Sequence, residues 1–166
     1  TCFTLNGKAV ISQSSPSTRL SEVLRSEMGL SGTKIGCNAG DCGACSVLLD
    51  DEPICSCLTT GDQVCGAKVR SVEGLNAENI ISKLQESFLA HGAAQCGICT
   101  PGMMVAAHAL LNKNPTPNRC EVEDALGGVL CRCTGYGKII DAVLATGSDG
   151  LATLSPQSGS SVGIPI

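Results

Sequence analysis

The sequence predicts an α+β protein: a small sheet with one helix over residues 1–75, then an all-helical stretch over 76–147. Three observations predict it. Short apolar runs separated by turn-forming pairs fill the first part. Apolar residues at helical spacing fill the second. Twelve cysteines, concentrated in loops between these elements, supply the third.

The first element is a hairpin, with Cys2-Phe3-Thr4-Leu5 and Ala9-Val10-Ile11 flanking Asn6-Gly7, a favoured type I′ pair. A short helix follows, with Thr18 as its cap, Leu20, Val23 and Leu24 on one face and Gly29 at its end. Val47-Leu48-Leu49 and Ile54 flank Asp50-Asp51 as a second hairpin, and Val69 with Val72 marks one further strand. From Glu78 to Leu89, Ile81, Leu84 and Phe88 recur at helical spacing. Thr100-Pro101 provides a cap and an N1 proline for Met103 to Leu111. Asn118 and Glu121 form a capping-box pattern, and Ile139, Ile140, Val143 and Leu144 mark a fourth helix. Four such helices predict a bundle. The serine-rich residues 148–166 read as an extended tail.

Hydrophobic residues make up 43% of the chain and aromatics only 2%, so Leu, Ile, Val and Ala must build the core. A net charge of −4 with only 11 Lys and Arg leaves no basic stripe for nucleic acid. No apolar run reaches the roughly 20 residues of a membrane span. Thr1-Cys2-Phe3-Thr4 has no signal-peptide pattern, so the expected location is the cytoplasm, alone or exported with a partner. Cysteine content of about 7% then points to metal or redox chemistry rather than disulfides.

Cys37, Cys42 and Cys45 stand at C-x4-C-x2-C spacing, with Cys57 further on. This is the plant-type [2Fe–2S] ligand pattern. Thiolates converging on two irons need a wrapped loop, and Gly36, Gly40 and Gly43 give the chain that freedom. Structural zinc prefers two short pairs separated by a spacer. A Rieske centre needs two histidines, and His91 and His108 lie in the helical half. Cys55 and Cys57 share a strand face, so spacing leaves the choice between them open. Cys96-Gly97-Ile98-Cys99 and Cys131-Arg132-Cys133 each precede a predicted helix, where N-terminal amides favour thiolates. A buried zinc or two disulfides is the competing reading of this second set.

Gly36-Cys37 to Cys45, Ser56-Cys57-Leu58, Gln95 to Gly102 and Cys131 to Tyr136 together resemble the iron–sulfur subunit of the molybdenum hydroxylases, the xanthine dehydrogenase and aldehyde oxidoreductase family. The resemblance spans about residues 3 to 145. It implies a plant-ferredoxin-like β-grasp domain followed by a four-helix domain, each holding one [2Fe–2S] cluster. It selects Cys57 as the fourth ligand of the first cluster and gives Cys96, Cys99, Cys131 and Cys133 to the second. It also implies a large subunit carrying molybdopterin, contacted by Gln95 and Cys133, and an FAD-binding or cytochrome subunit as a further partner. No substrate chemistry is then expected from this chain alone, and a free-standing two-cluster carrier is the alternative. Val129 stands where the family often has Asn. Cys2, Cys55, Cys65 and Cys120 match no family ligand and read as small apolar residues. Met103 and Met104 read as core or interface filler, and Arg132 either tunes a cluster or is simply solvated.

Overall fold

The computed structural model describes residues 1–76 and 79–147. The predicted tail over 148–166 and the predicted helix start at Glu78 lie outside them. Strands β1 (Cys2–Leu5), β2 (Lys8–Ile11), β3 (Ser46–Leu49), β4 (Glu52–Cys55) and β5 (Lys68–Arg70) form a sheet of order β2-β1-β5-β3-β4. Only the β1–β5 pairing is parallel, with Leu5 opposite Val69. Both hairpins turn on residues with positive φ at both central positions: Asn6 (50°) and Gly7 (80°), then Asp50 (48°) and Asp51 (69°). This is the type I′ geometry, whose twist matches that of the strands.

Helix α1 (Leu20–Glu22) runs into a single π turn over Val23–Glu27. Its Leu20, Val23 and Leu24 pack with Phe3, Leu5, Val47, Val64 and Val69. Two expectations need correcting here. Thr18 does not cap α1: Arg19 holds that position with no side-chain bond, and the Leu20 amide donates to the Thr59 carbonyl instead. Val72 is not in a strand but opens the short helix α2 (Val72–Leu75).

Glu27, at the end of the π turn, accepts from the Ser12 and Ser14 hydroxyls and the Gln13 amide, each at 2.7 Å. These donors, Ser14 first and then the Gln13 amide, hold its carboxyl at about 2, below the usual 4.5. A depressed carboxylate stabilises the fold above its unfolded pKa and loses that contribution as pH falls. Hydrogen-exchange protection of the Gln13 amide is therefore expected to be full above pH 4.5 and to fade toward pH 2. In Glu27→Gln it should be low throughout; an unchanged acid limb in that variant would refute the assignment.

The second half is α3 (Asn79–His91), α4 (Thr100–Lys113), α5 (Arg119–Leu126) and α6 (Gly137–Gly147). Helix α4 is buried on nearly every side, including Met103, Val105, Ala107 and His108. The capping box is present: Asn118 accepts from the Glu121 amide at 3.1 Å, and Glu121 accepts from the Asn118 amide at 2.7 Å. Thr100 lies inside α4 rather than capping it, because Cys99 takes the cap position.

Leu48 of β3 belongs to this helical core, not to the sheet's own. Burying one leucine is worth about 1.5–3 kcal/mol. The nearby Lys113–Glu52 ion pair, 2.6 Å long but with both side chains more than half exposed, contributes under about 1 kcal/mol. Apolar contact, not charge, holds the halves together.

Candidate metal centres

Cys37, Cys42 and Cys45 of the first set sit in the loop between the π turn and β3, and Cys57 follows β4. Cys37 is exposed and accepts from the amides of Ala39, Asp41 and Cys42 at 3.3, 3.3 and 3.4 Å. The Cys37 amide in turn donates to Cys42 Sγ at 3.3 Å. These donors, Ala39 foremost, bring the Cys37 thiol down to about 7. Such a nest favours thiolate at neutral pH and directs amides at sulfur. Gly36 is required here, because a Cβ would lie 2.8 Å from Cys42 Sγ. Cys45 and Cys57 are buried, and burial, with the neighbouring Cys45 thiol adding to it, pushes Cys57 up to about 11. Ser56, also buried, donates to the Cys45 carbonyl at 2.6 Å and fixes the ligand's backbone.

The second set joins the loop before α4 to the loop before α6. Cys96 neighbours Cys133, and Cys99 neighbours Cys131, closely enough that each thiol shifts the other's titration. The Ile98 amide holds Cys96 low, while the neighbouring Cys96 thiol raises Cys133. Burial pushes Cys99 up to about 12. Burial also raises Cys131, but the Thr134 hydroxyl at 3.1 Å and the loop amides outweigh it and leave it lowered. Cys131 and Cys133 are not at a helix N-terminus as expected, since α6 begins only at Gly137. Cys99 alone stands at a helix start.

The eight thiols thus meet as 37/42, 45/57, 96/133 and 99/131. Two thiols for each of two irons per set is the [2Fe–2S] arrangement, so the residues fit that cluster. All twelve cysteines carry free thiols.

The two loops touch through backbone. The Leu130 amide donates to the Cys42 carbonyl at 2.9 Å. Gly43, at φ +65°, lies so close to the Gly128 carbonyl that no side chain fits between them. Gly102 of α4 also approaches closely, since a Cβ there would sit 2.6 Å from the Gly43 carbonyl.

Two family models match, one described as a 2Fe-2S iron-sulfur cluster binding domain over residues 3–70, the other as a [2Fe-2S] binding domain over 71–144. A probable xanthine dehydrogenase subunit of Bacillus subtilis (strain 168) is 44% identical over 83% of this chain and 79% of its own length. The nicotinate dehydrogenase small FeS subunit of Eubacterium barkeri is 45% identical over 84% of this chain and 88% of its own. The chain belongs to the iron–sulfur subunits of the molybdenum hydroxylases. A chain in the crystal structure of quinoline 2-oxidoreductase from Pseudomonas putida 86 superposes with a TM-score of 0.83 at 44% identity, covering 90% of this chain and 93% of that one.

As a member of that family the chain is an electron-transfer component of an oxidoreductase. The predicted α+β fold, a ferredoxin-type domain followed by a helical [2Fe–2S] domain, is the one found. No helix among the described residues is long and apolar enough to cross a membrane. Sequence reasoning missed the residues that brace this iron–sulfur subunit's second loop. The Tyr136 hydroxyl accepts from the Cys131 amide at 2.9 Å and donates to the Val129 carbonyl at 3.4 Å. Tyr136 is the only tyrosine in the sequence, which is the one signal available. Gln95 Nε2 donates to the Cys133 carbonyl at 3.2 Å, tying those two residues together. Cys2, Cys65 and Cys120 are exposed, not buried as small apolar residues would be. Met103 and Met104 are core, as expected.

Proposed function

We propose that this chain relays single electrons from a molybdopterin centre on a large partner subunit toward an FAD-binding, cytochrome or other acceptor subunit. The oxidation itself, of an N-heteroaromatic, purine or aldehyde, takes place on the large subunit. Cys37, Cys42, Cys45 and Cys57 hold the first [2Fe–2S] cluster. Cys96, Cys99, Cys131 and Cys133 hold the second. The division between the two units falls near residue 75. Each cluster, when bound, supplies a carrier for one electron. The chain's own work is to hold the sulfurs, to aim amides at them, and to fix the spacing between the sets through Leu130 and Cys42.

The observation that carries this reading is the pairing of all eight thiols, two pairs in each half, on loops bonded to one another. It supports a two-centre relay over a free-standing carrier, which has no use for a second domain docked so closely. Gln95 and Cys133, both exposed and bonded together, are the residues we assign to the pterin side.

The metal content should be about four irons and four acid-labile sulfides per chain, from four thiolates per cluster. Zinc, or about two irons, would exclude the assignment. In the assembled enzyme, Gln95→Ala should slow reduction of the second centre by substrate, followed by rapid-freeze EPR, while dithionite still reduces the first. Native kinetics with an unaltered molybdenum signal would remove Gln95 from the pterin contact.

A further inference from the structure

The two ligand loops offer their sulfurs different donors. At the first site the Cys37 sulfur accepts from the main-chain amides of Ala39, Asp41 and Cys42, and only proline would remove an amide. At the second site a side chain takes part, because Thr134 Oγ1 lies 3.1 Å from Cys131 Sγ. The Tyr136 amide donates to the same Oγ1 at 3.2 Å. A hydroxyl has one proton to give, and that amide already occupies its acceptor side. A sulfur that binds iron has lost its own proton, so the Thr134 hydroxyl is the donor between the two. Tyr136 is held in place for this contact. Its φ of +67° is uncommon for a residue with a side chain. Its hydroxyl is tied at both ends, to the Cys131 amide at 2.9 Å and to the Val129 carbonyl at 3.4 Å. The loop thus closes on itself: Cys131 N–H meets the Tyr136 hydroxyl, Tyr136 N–H meets Thr134, and Thr134 O–H returns to the Cys131 sulfur.

We propose that the Thr134 hydroxyl sets the reduction potential of the second centre, raising it so that this centre takes electrons from the molybdopterin side. One-electron reduction adds a negative charge that spreads onto the ligand sulfurs, and a hydrogen bond to a more negative acceptor is stronger. The bond therefore favours the reduced form, and hydrogen bonds to sulfur are one means by which proteins place cluster potentials. The electron comes from the oxidation on the large subunit, and the Thr134 proton stays on its oxygen throughout. Because this donor is a side chain, it can be removed while the main-chain amides of both loops remain. This inference rests on the ligand set proposed above.

The test uses the assembled enzyme with Thr134→Val, Thr134→Ala and Thr134→Ser, in redox titrations followed by EPR with iron content read alongside. The signal that persists in Cys42→Ser belongs to the second centre. In Thr134→Val the reduced-to-oxidised ratio of that centre at a fixed solution potential should fall about tenfold, a shift of about 59 mV for one electron. The first centre should not move, and Thr134→Ser, which keeps the hydroxyl, should restore the native value. An unmoved second centre in Thr134→Val overturns the proposal and leaves the ligand set standing. A shift confined to the first centre shows that the ligand sets are wrongly divided, and the proposal falls with them. A shift that Thr134→Ser does not reverse belongs to packing and not to the hydroxyl, and also overturns it. Should Thr134→Val fail to hold the second cluster, Thr134→Ala decides by the same reading. Loss of that cluster in both makes the hydroxyl a structural tie and refutes the proposal.

Discussion

Gly43→Ala should part the two halves of the molecule. A Cβ at this position would collide with the Gly128 carbonyl and crowd Val129 Cα, 2.9 Å away. The residue would also sit at φ +65°, a conformation costing a non-glycine about 1–3 kcal/mol. Overpacking adds a further penalty of about 1–3 kcal/mol. The exposed Lys113–Glu52 pair contributes too little to compensate. Gly66→Ala is the control: it shares the backbone strain at φ +76° but has nothing within 4 Å of its Cβ. The denaturant midpoint should fall in both variants. Magnetic coupling between the two reduced centres should weaken only in Gly43→Ala. Equal behaviour of the two would show that close approach at Gly43 is not what holds the halves together.

Cys42→Ser should empty the first centre and spare the second. Iron is expected to drop from about four to about two per chain, with one of two reduced-state EPR signals lost. The reason is positional: the second set's thiols pair among themselves, and the Cys42 carbonyl, which accepts from Leu130, survives the substitution. Loss of both signals would mean that the second loop needs a metallated first loop to keep its shape.

Much of this is legible in the sequence because it is local. Asn6-Gly7 and Asp50-Asp51 announce their hairpins through residues that tolerate positive φ, and the pairing follows. Asn118 and Glu121 cap a helix through bonds spanning three residues. The C-x4-C-x2-C loop carries its own glycines. What escapes are features decided at long range. Thr18 is a good cap by type, but Thr59, far along the chain, offers the Leu20 amide a carbonyl instead. Val72 suggests strand because valine prefers it, yet β5 ends at Arg70 and the chain turns into α2. Gly128 is the surface on which Gly43 rests. Nothing local marks such a contact. Leu48 likewise reads as one residue of an apolar strand run while burying itself in the other half's core.

The Leu130–Cys42 bond joins main chain to main chain. Tunnelling rates fall exponentially with the gap to be crossed, so a joint made of side chains would let every substitution at it rescale the current. A joint made of peptide groups is indifferent to most of them. The spacing between the two loops is then set by the backbone and not by the side chains around it.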